Sequence, residues 1–79
     1  KGAAGSWMLS DRGPRMCAGT DVQVTSAINI FVKDSGLVAD AGASCGAQLP
    51  LLEVAHSRFV MAAQMGLGPR DDSRVIETW

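Results

Sequence analysis

The stretch from Ile28 to Gly42 constrains the fold most, because it is apolar on two sides of one predicted helix. At about 100° per residue, these two apolar faces leave a polar stripe only about a quarter of the circumference wide. Lys33 belongs to that stripe, whereas Asp34 falls in the gap between the apolar faces. A carboxylate in that gap should lose much of its hydration, which is costly without a compensating partner or ligand. The sequence therefore predicts either a structural ion pair or a functional role for Asp34. The first face comprises Ile28, Phe31, Val32, Val38, Ala39 and Gly42, and the second comprises Ile30, Leu37 and Ala41.

The chain length limits how much of this apolar surface can be covered. Its 79 residues suffice for one small domain, whose core is marginal without staples or partners. We therefore expect the chain to belong to a larger protein or to a homo-oligomer. The net charge is −1 and the lysines and arginines are scattered, so we expect no nucleic-acid partner. No apolar run approaches the roughly 18 residues of a membrane span, so we expect no membrane partner either.

The whole chain has a helical pattern, which predicts an all-α fold of about four helices. The Gly13-Pro14 pair should interrupt the first helix, and the glycines at 66 and 68 should end the third. The buried face of the third helix should comprise Leu51, Leu52, Ala55, Phe59, Ala62 and Met65. The predicted helices are 7–12 with one further turn over 15–18, a second capped by Thr25 or Ser26 and ending near Ser44, a third from Pro50, and a last one capped by Asp71 or Asp72.

Several residues suggest chemistry that their context does not support. The run from Gly42 to Gly46 matches the G-x-S-x-G pattern of a hydrolase, but that pattern needs a strand before it, and here a helix precedes it. His56 should be a solvated or edge-packed histidine, and no set of zinc ligands accompanies it. Cys17 and Cys45 fit no metal-ligand or redox spacing. We expect two reduced, partly buried thiols in a cytoplasmic protein, with a disulfide as the alternative.

Arg58 falls inside the apolar arc of the third helix. Its aliphatic stem can lie along apolar surface while the guanidinium reaches out to solvent. The alternative is an ion pair with a buried carboxylate, for which Asp34 and Asp71 are the candidates.

The order and spacing of several short motifs resemble a known family. Phe31-Val32-Lys33-Asp34 continues into Gly36-Leu37, Leu49-Pro50-Leu51 follows, and Gly66-Leu67-Gly68 precedes Asp71 and Ser73. Over nearly the whole chain, this pattern resembles the C-terminal helical domain of 3-hydroxyacid dehydrogenases, the group that contains 3-hydroxyisobutyrate dehydrogenase, tartronate semialdehyde reductase and L-threonate dehydrogenase. The fold that the resemblance implies is part of the 6-phosphogluconate dehydrogenase C-terminal-domain-like fold. The run from Ser6 to Met16 is most similar to the L-threonate dehydrogenase branch.

The resemblance implies hydride transfer between a small 3-hydroxy acid and NAD or NADP. In such enzymes a Rossmann domain holds the cofactor, and the helical domain completes the cleft and mediates dimerisation. Lys33 matches a lysine that reaches the cofactor, and Asp34 matches an aspartate at the substrate end of the cleft. Asp71 and Ser73 match residues that open the last helix, where capping is the simplest role.

The resemblance also implies what residues 1–79 do not supply. The family's catalytic lysine lies upstream on a long helix, and Lys1 is not that residue, because Gly2-Ala3-Ala4-Gly5 follows it. We therefore expect residues 1–79 to be a partial helical domain without the Rossmann domain and the long interdomain helix, inactive in isolation. The alternative is a non-catalytic helical dimerisation or interaction module.

Overall fold

The computed structural model describes residues 6–79, and these residues form helices joined by turns and, over 19–27, by a longer connector. The helices are α1 (Trp7–Ala18), α2 (Ile28–Ser44) and α3 (Pro50–Ala62). A π-helical turn (Ala63–Leu67) continues α3, and a 3₁₀ helix (Asp72–Thr78) follows. Within residues 6–79 there is no strand, only an isolated antiparallel bridge between Ala27 and Asp71. The predicted all-helical architecture is therefore confirmed.

Helix α1 runs without a break through Gly13-Pro14, so the predicted interruption is wrong. The proline ring clashes with the backbone N–H and the Cβ of a preceding helical residue, and Gly13 has no Cβ, so part of this penalty is absent. Contacts from either side of Pro14 also hold the helix: Arg12 binds Asp72 and Arg15 binds Asp71. These contacts with the 3₁₀ helix offset the hydrogen bond that proline cannot donate.

The start of α2 also differs from the prediction. Its N-cap is Ala27, which makes no side-chain cap, rather than Thr25 or Ser26. The first amide groups of α2 donate instead to backbone carbonyls of the segment after the π turn. The Ile28 amide donates to the Arg70 carbonyl, and the Asn29 amide donates to the Gly68 carbonyl, each at 2.9 Å. A distant segment thus satisfies the helix end that a local side chain was expected to cap. The end at Ser44 is as predicted, with Gly46 at φ 73°.

Helix α3 begins with Pro50 in its first turn, as predicted. Its continuation through the π turn ends where Gly66 adopts φ 86°, a conformation that glycine takes without strain. The chain then crosses to the 3₁₀ helix, whose N-cap is Asp71.

The core lies between α2, α3 and the π turn and is small. Its buried apolar members are Ile28, Ala62 and Leu67, with Val32 and Phe59 packed against them. The rings of Phe31 and Phe59 stack with centroids 5.1 Å apart. The first predicted face of α2 therefore packs inward at most of its positions, whereas Ile30 and Leu37 of the second face are exposed, as is Val38. The predicted buried face of α3 is wrong at Leu51, Ala55 and Met65, which are all exposed.

Candidate functional site

The most elaborate polar arrangement surrounds Asp71, where α1, the connector and the 3₁₀ helix meet. The Asp71 side chain is fully buried and caps the 3₁₀ helix by accepting from the Ser73 amide at 3.1 Å. It also accepts from the Ser73 hydroxyl, from the Thr25 amide at 2.8 Å and from the Thr25 hydroxyl at 3.1 Å. Arg15 completes the set with Nη2 at 3.0 Å from Oδ1 and Nε at 3.3 Å from Oδ2. The predicted cap is confirmed, and it is one part of a wider cluster.

The charged form of Asp71 is strongly favoured in this cluster. Burial is the largest single influence and by itself raises the pKa of Asp71. The hydrogen bonds from Ser73, Thr25 and Arg15 together outweigh burial, so the pKa of Asp71 lies well below its ordinary value. A carboxylate held in this way does not exchange protons near neutral pH, so Asp71 is unsuited to acid–base catalysis.

Two further arginines extend the cluster. Arg12 Nε lies 2.9 Å from Asp72 Oδ1, and this hydrogen bond raises the pKa of Arg12. The buried Arg74 donates to the carbonyls of Arg15 at 2.6 Å and Met16 at 2.8 Å, at the C-terminal end of α1. Cations at that end interact favourably with the helix dipole. We call Arg12, Arg15, Asp71, Asp72, Ser73 and Arg74 the polar junction. Almost every polar group in it is engaged within the chain, which indicates a structural role.

Sequence reasoning assigned no role to Arg12, Arg15 or Arg74, although part of a signal was present. Arg12 and Arg15 are one helical turn apart. Asp71 and Asp72 are adjacent in the sequence and carry the charge opposite to that of the arginines. The spacing places both arginines on one face of the first helix, but it does not show that the two aspartates lie opposite that face. The pattern does not say that the pairs are buried, so it could not separate a structural contact from a solvated one.

Lys33 and Asp34 lie side by side on the outer surface of α2. Their side chains are 71% and 60% exposed, and Lys33 Nζ is 4.0 Å from Asp34 Oδ1. The prediction that Asp34 loses its hydration between two apolar faces is therefore wrong for this chain. The second apolar face exists, but the described residues do not cover it, so Asp34 remains in contact with water. Both charged groups are available to an external ligand.

The remaining candidate residues make local contacts. His56 is half-buried, with Nδ1 2.6 Å from the Ser35 hydroxyl of α2, which confirms the edge-packed interpretation. Arg58 pairs with neither Asp34 nor Asp71, so the ion-pair alternative is wrong. Its guanidinium lies 3.7 Å from the centroid of the Trp79 ring.

The two cysteines and Ser44 show no reactive arrangement. Cys17 and Cys45 are both free thiols, and both are exposed rather than partly buried as expected. The Ser44 hydroxyl donates to the Asp40 carbonyl at 3.0 Å inside α2, which is the helical context expected for the G-x-S-x-G run. Lys1, which the sequence context excludes as the family's catalytic lysine, lies outside the described residues.

An open cavity of about 450 Å³ adjoins the polar junction. Met8, Met16, Phe31, Phe59 and Val75 give it a mostly apolar lining, and Arg12, Asp72 and Ser73 form a polar edge. Lys33 and Asp34 are not among its lining residues. The cavity and the predicted site are therefore separate features of the fold.

Residues 6–79 hold neither a metal-ligand cluster nor a membrane-spanning helix. No three side chains of histidine, cysteine, aspartate or glutamate come together there in a way that could hold a metal ion. No helix in the same part of the chain has the length and apolar character needed to cross a membrane.

Comparison with known proteins defines the class of protein to which this chain belongs. Residues 1–79 match the family described as the NAD-binding region of NADP-dependent 3-hydroxyisobutyrate dehydrogenase. The chain belongs to this family of oxidoreductases, and the match supports NAD or NADP as the cofactor.

Individual relatives show which dehydrogenases the chain is similar to. The chain is 44% identical over 75 residues to L-threonate dehydrogenase of Cupriavidus necator and 43% identical over 75 residues to that of Escherichia coli. These matches cover 95% of this chain and 25% and 24% of the relatives, so the chain spans about a quarter of their length. The crystal structure of 3-hydroxyisobutyrate dehydrogenase from Salmonella typhimurium superposes with a TM-score of 0.88 at 41% identity, covering 99% of this chain and 27% of that one.

Proposed function

We propose that this chain is part of the C-terminal helical domain of an NAD(P)-dependent dehydrogenase that acts on L-threonate or a related 3-hydroxy acid. One observation carries the proposal: similarity above 40% identity to L-threonate dehydrogenases extends over 95% of the chain. The backbone similarity to the Salmonella typhimurium enzyme supports it independently.

In this proposal the chain contributes one wall of the active-site cleft and part of a dimer interface. A dinucleotide cradle needs a glycine-rich turn between a strand and a helix, and residues 6–79 contain no strand. The phosphate groups of the cofactor would therefore be held mainly by a Rossmann domain elsewhere in the polypeptide, with the catalytic lysine on a long helix between the two domains. When bound, NAD or NADP supplies the hydride acceptor or donor.

Lys33 is the residue of this chain that we assign to the cofactor. Its ammonium group carries three donors, and its charged contact with Asp34 is long at 4.0 Å. An exposed ammonium group without a close partner fits an anionic or carbonyl group of a bound ligand. Enclosing the site would strengthen that contact, because the interaction of charges increases where water is excluded.

Asp34 is assigned to the substrate end of the same surface. Its carboxylate is exposed and can accept hydrogen bonds from the hydroxyl groups of a hydroxy acid. Adjacent residues of a helix project about 100° apart. This divergence suits two ligand groups better than one shared atom.

A chimera tests this function directly. The 75 aligned residues of this chain would replace the matching segment of the Cupriavidus necator L-threonate dehydrogenase. We expect the chimera to oxidise L-threonate with NAD or NADP. Lys33→Ala in the chimera should reduce kcat/KM by roughly one to three orders of magnitude, as expected when a charge-assisted contact of about 1.5–3 kcal/mol is lost together with some positioning.

The matched control removes another exposed cation from the same chain. Arg70 is 47% exposed and lies 3.5 Å from Asp21, so Arg70→Ala also deletes one surface charge. It should leave kcat/KM within about twofold of the unmodified chimera. A folded chimera in which Lys33→Ala and Arg70→Ala have equal kinetics would contradict the assignment of Lys33.

A non-catalytic interaction module is the second candidate. It is favoured by the exposed apolar residues on the outer faces of α2 and α3, such as Leu37 and Leu51. A folded chimera with no dehydrogenase activity would support this alternative.

A further inference from the structure

His56 makes a polar contact between α3 and α2. Its Nδ1 lies 2.6 Å from the Ser35 hydroxyl, and that hydroxyl is also in close contact with the Phe31 carbonyl one turn earlier in α2. A hydroxyl oxygen lies so near a carbonyl oxygen only when its hydrogen points at the carbonyl. Ser35 therefore donates to Phe31, which is a common bond of serine inside a helix. The Ser35 oxygen then accepts from His56, so the proton of the neutral imidazole is on Nδ1.

This tautomer leaves a lone pair on Nε2, because one nitrogen of a neutral imidazole donates and the other accepts. Nε2 of His56 has no hydrogen-bond partner among residues 6–79. In the same part of the chain, the one buried side-chain polar atom without a partner is Nε of Arg74. Nε2 of His56 is therefore open to solvent. His56 presents a hydrogen-bond acceptor whose orientation is fixed by Ser35.

The ring places this acceptor on the side of α2 that carries Lys33. A Cβ at Gly36 would lie 3.4 Å from Cε1 of His56, so the ring edge lies against α2 at that glycine. Cε1 joins the two nitrogens, so the ring runs from Ser35 toward Gly36 with Nε2 beyond Cε1. Gly36 follows Lys33 by one helical turn and is offset from it by about 60° around the helix. Asp34 is offset by about 100° in the other direction.

We propose that His56 is a further ligand-contacting residue, whose Nε2 accepts a hydrogen bond from a hydroxyl group of the ligand that Lys33 binds. This inference rests on the proposed function, because it takes Lys33 to bind a ligand. The ribose of NAD or NADP is the favoured source of the hydroxyl, since Lys33 is assigned to the cofactor and Nε2 lies on the side of Lys33 away from Asp34. The hydroxy acid offers the same chemistry and is the other source.

The tautomer is testable without any substitution. His56 is the sole histidine of the 79-residue chain, so a ¹H–¹⁵N correlation spectrum of the imidazole shows one ring. At a pH that keeps the ring neutral, we expect the ¹⁵N shift of a protonated nitrogen at Nδ1 and that of an unprotonated nitrogen at Nε2. A proton on Nε2 with Nδ1 bare would overturn the proposal, because Nε2 could not then accept.

Two substitutions in the chimera separate the ligand contact from the contact with Ser35. In His56→Asn, the amide nitrogen takes the position of Nδ1 and still donates to Ser35, but no atom replaces Nε2. In His56→Gln, the longer side chain places an acceptor oxygen near the position of Nε2 and loses the bond to Ser35. Fluorescence titration with NADH should give a dissociation constant about threefold to tenfold higher for His56→Asn, and a smaller increase for His56→Gln.

The KM for L-threonate in the same variants identifies the source of the hydroxyl. Unchanged NADH binding with a raised KM in His56→Asn would support the contact and assign the hydroxyl to the acid. Unchanged values of both in His56→Asn would overturn the proposal. A larger loss in His56→Gln than in His56→Asn would also overturn it, because that order is expected when only the bond to Ser35 matters. Circular dichroism establishes that each variant folds.

Two comparisons in the same chimera complete the test. Arg70→Ala is the control and should change neither the NADH dissociation constant nor the KM by more than about twofold. Lys33→Ala separates this inference from the proposed function. Impaired kinetics in Lys33→Ala with a silent His56→Asn would contradict the role of His56 alone. A silent Lys33→Ala with weakened NADH binding in His56→Asn would support the His56 contact and contradict the assignment of Lys33.

Discussion

The polar junction and the outer surface of α2 both carry charged residues, and they use them in opposite ways. At the junction, Asp71 is fully buried and receives hydrogen bonds from Ser73, Thr25 and Arg15. On α2, Lys33 and Asp34 are mostly exposed and contact each other at 4.0 Å. The first region satisfies its charges within the chain, and the second leaves them available to other molecules.

The core of this domain is small, so we assign stability to the polar junction and ligand binding to the outer surface of α2. Few apolar side chains are buried, whereas Asp71, Asp72, Ser73 and Arg74 all are. Buried charges that are paired and hydrogen-bonded hold helices in one arrangement. Removing one partner destabilises the fold, because the other charge is then buried without compensation. We therefore expect substitutions at the junction to destabilise the fold and substitutions on α2 to change its stability little.

The largest effect should come from Asp71→Ala. The change removes the acceptor for three residues and leaves the Arg15 guanidinium without its carboxylate. We expect a loss of about 3–5 kcal/mol in the free energy of unfolding, measured by urea denaturation. A loss below about 1 kcal/mol would show that the junction does not stabilise the fold.

Acidification of the wild-type chain should reduce the contribution of Asp71 to the free energy of unfolding. Because the folded pKa of Asp71 is depressed, its contribution is complete above the unfolded pKa of about 3.9. The contribution is lost as the pH falls below that value toward the folded pKa. Urea denaturation between pH 7 and pH 2 should show this loss in the wild-type chain. Asp71→Asn should be less stable at neutral pH and should show a smaller dependence on acid.

A smaller loss is expected for Arg12→Ala at the edge of the junction. The Arg12 side chain is 13% exposed and its partner Asp72 is 8% exposed, so the pair is only partly screened by solvent. Removing a charge-assisted hydrogen bond of this kind should cost about 1.5–3 kcal/mol. A double-mutant cycle with Asp72→Ala measures the pair itself, and a coupling energy near zero would contradict this account.

Sequence patterns predicted the features of the fold that depend on neighbouring residues. The first turn of α3 at Pro50, the end of α2 at Gly46 and the cap at Asp71 all follow from local backbone chemistry. The contacts of Asp71 with Thr25 and Arg15 could not be read in this way, because they join segments far apart in the chain.

The error at Asp34 has a different physical origin. Helical periodicity states which residues share a face, and it correctly grouped Ile30 with Leu37. It does not state whether another element covers that face, and the described residues leave both side chains exposed. The exposure of Asp34 therefore emerged only from the folded arrangement, whereas that of Lys33 agrees with its place in the predicted polar stripe.

The smallest effects on stability should be those of Lys33→Ala and Asp34→Ala. Both side chains lie largely in water, and an exposed ion pair at 4.0 Å contributes little because solvent and salt screen it. Each substitution should change the free energy of unfolding of the 79-residue chain by less than about 0.5 kcal/mol. Arg12→Ala, measured in the same urea series, supplies the contrast. If Asp34→Ala instead destabilises the chain as much as Arg12→Ala does, then its carboxylate has a partner within the chain, and α2 is a second structural region rather than a surface open to ligands.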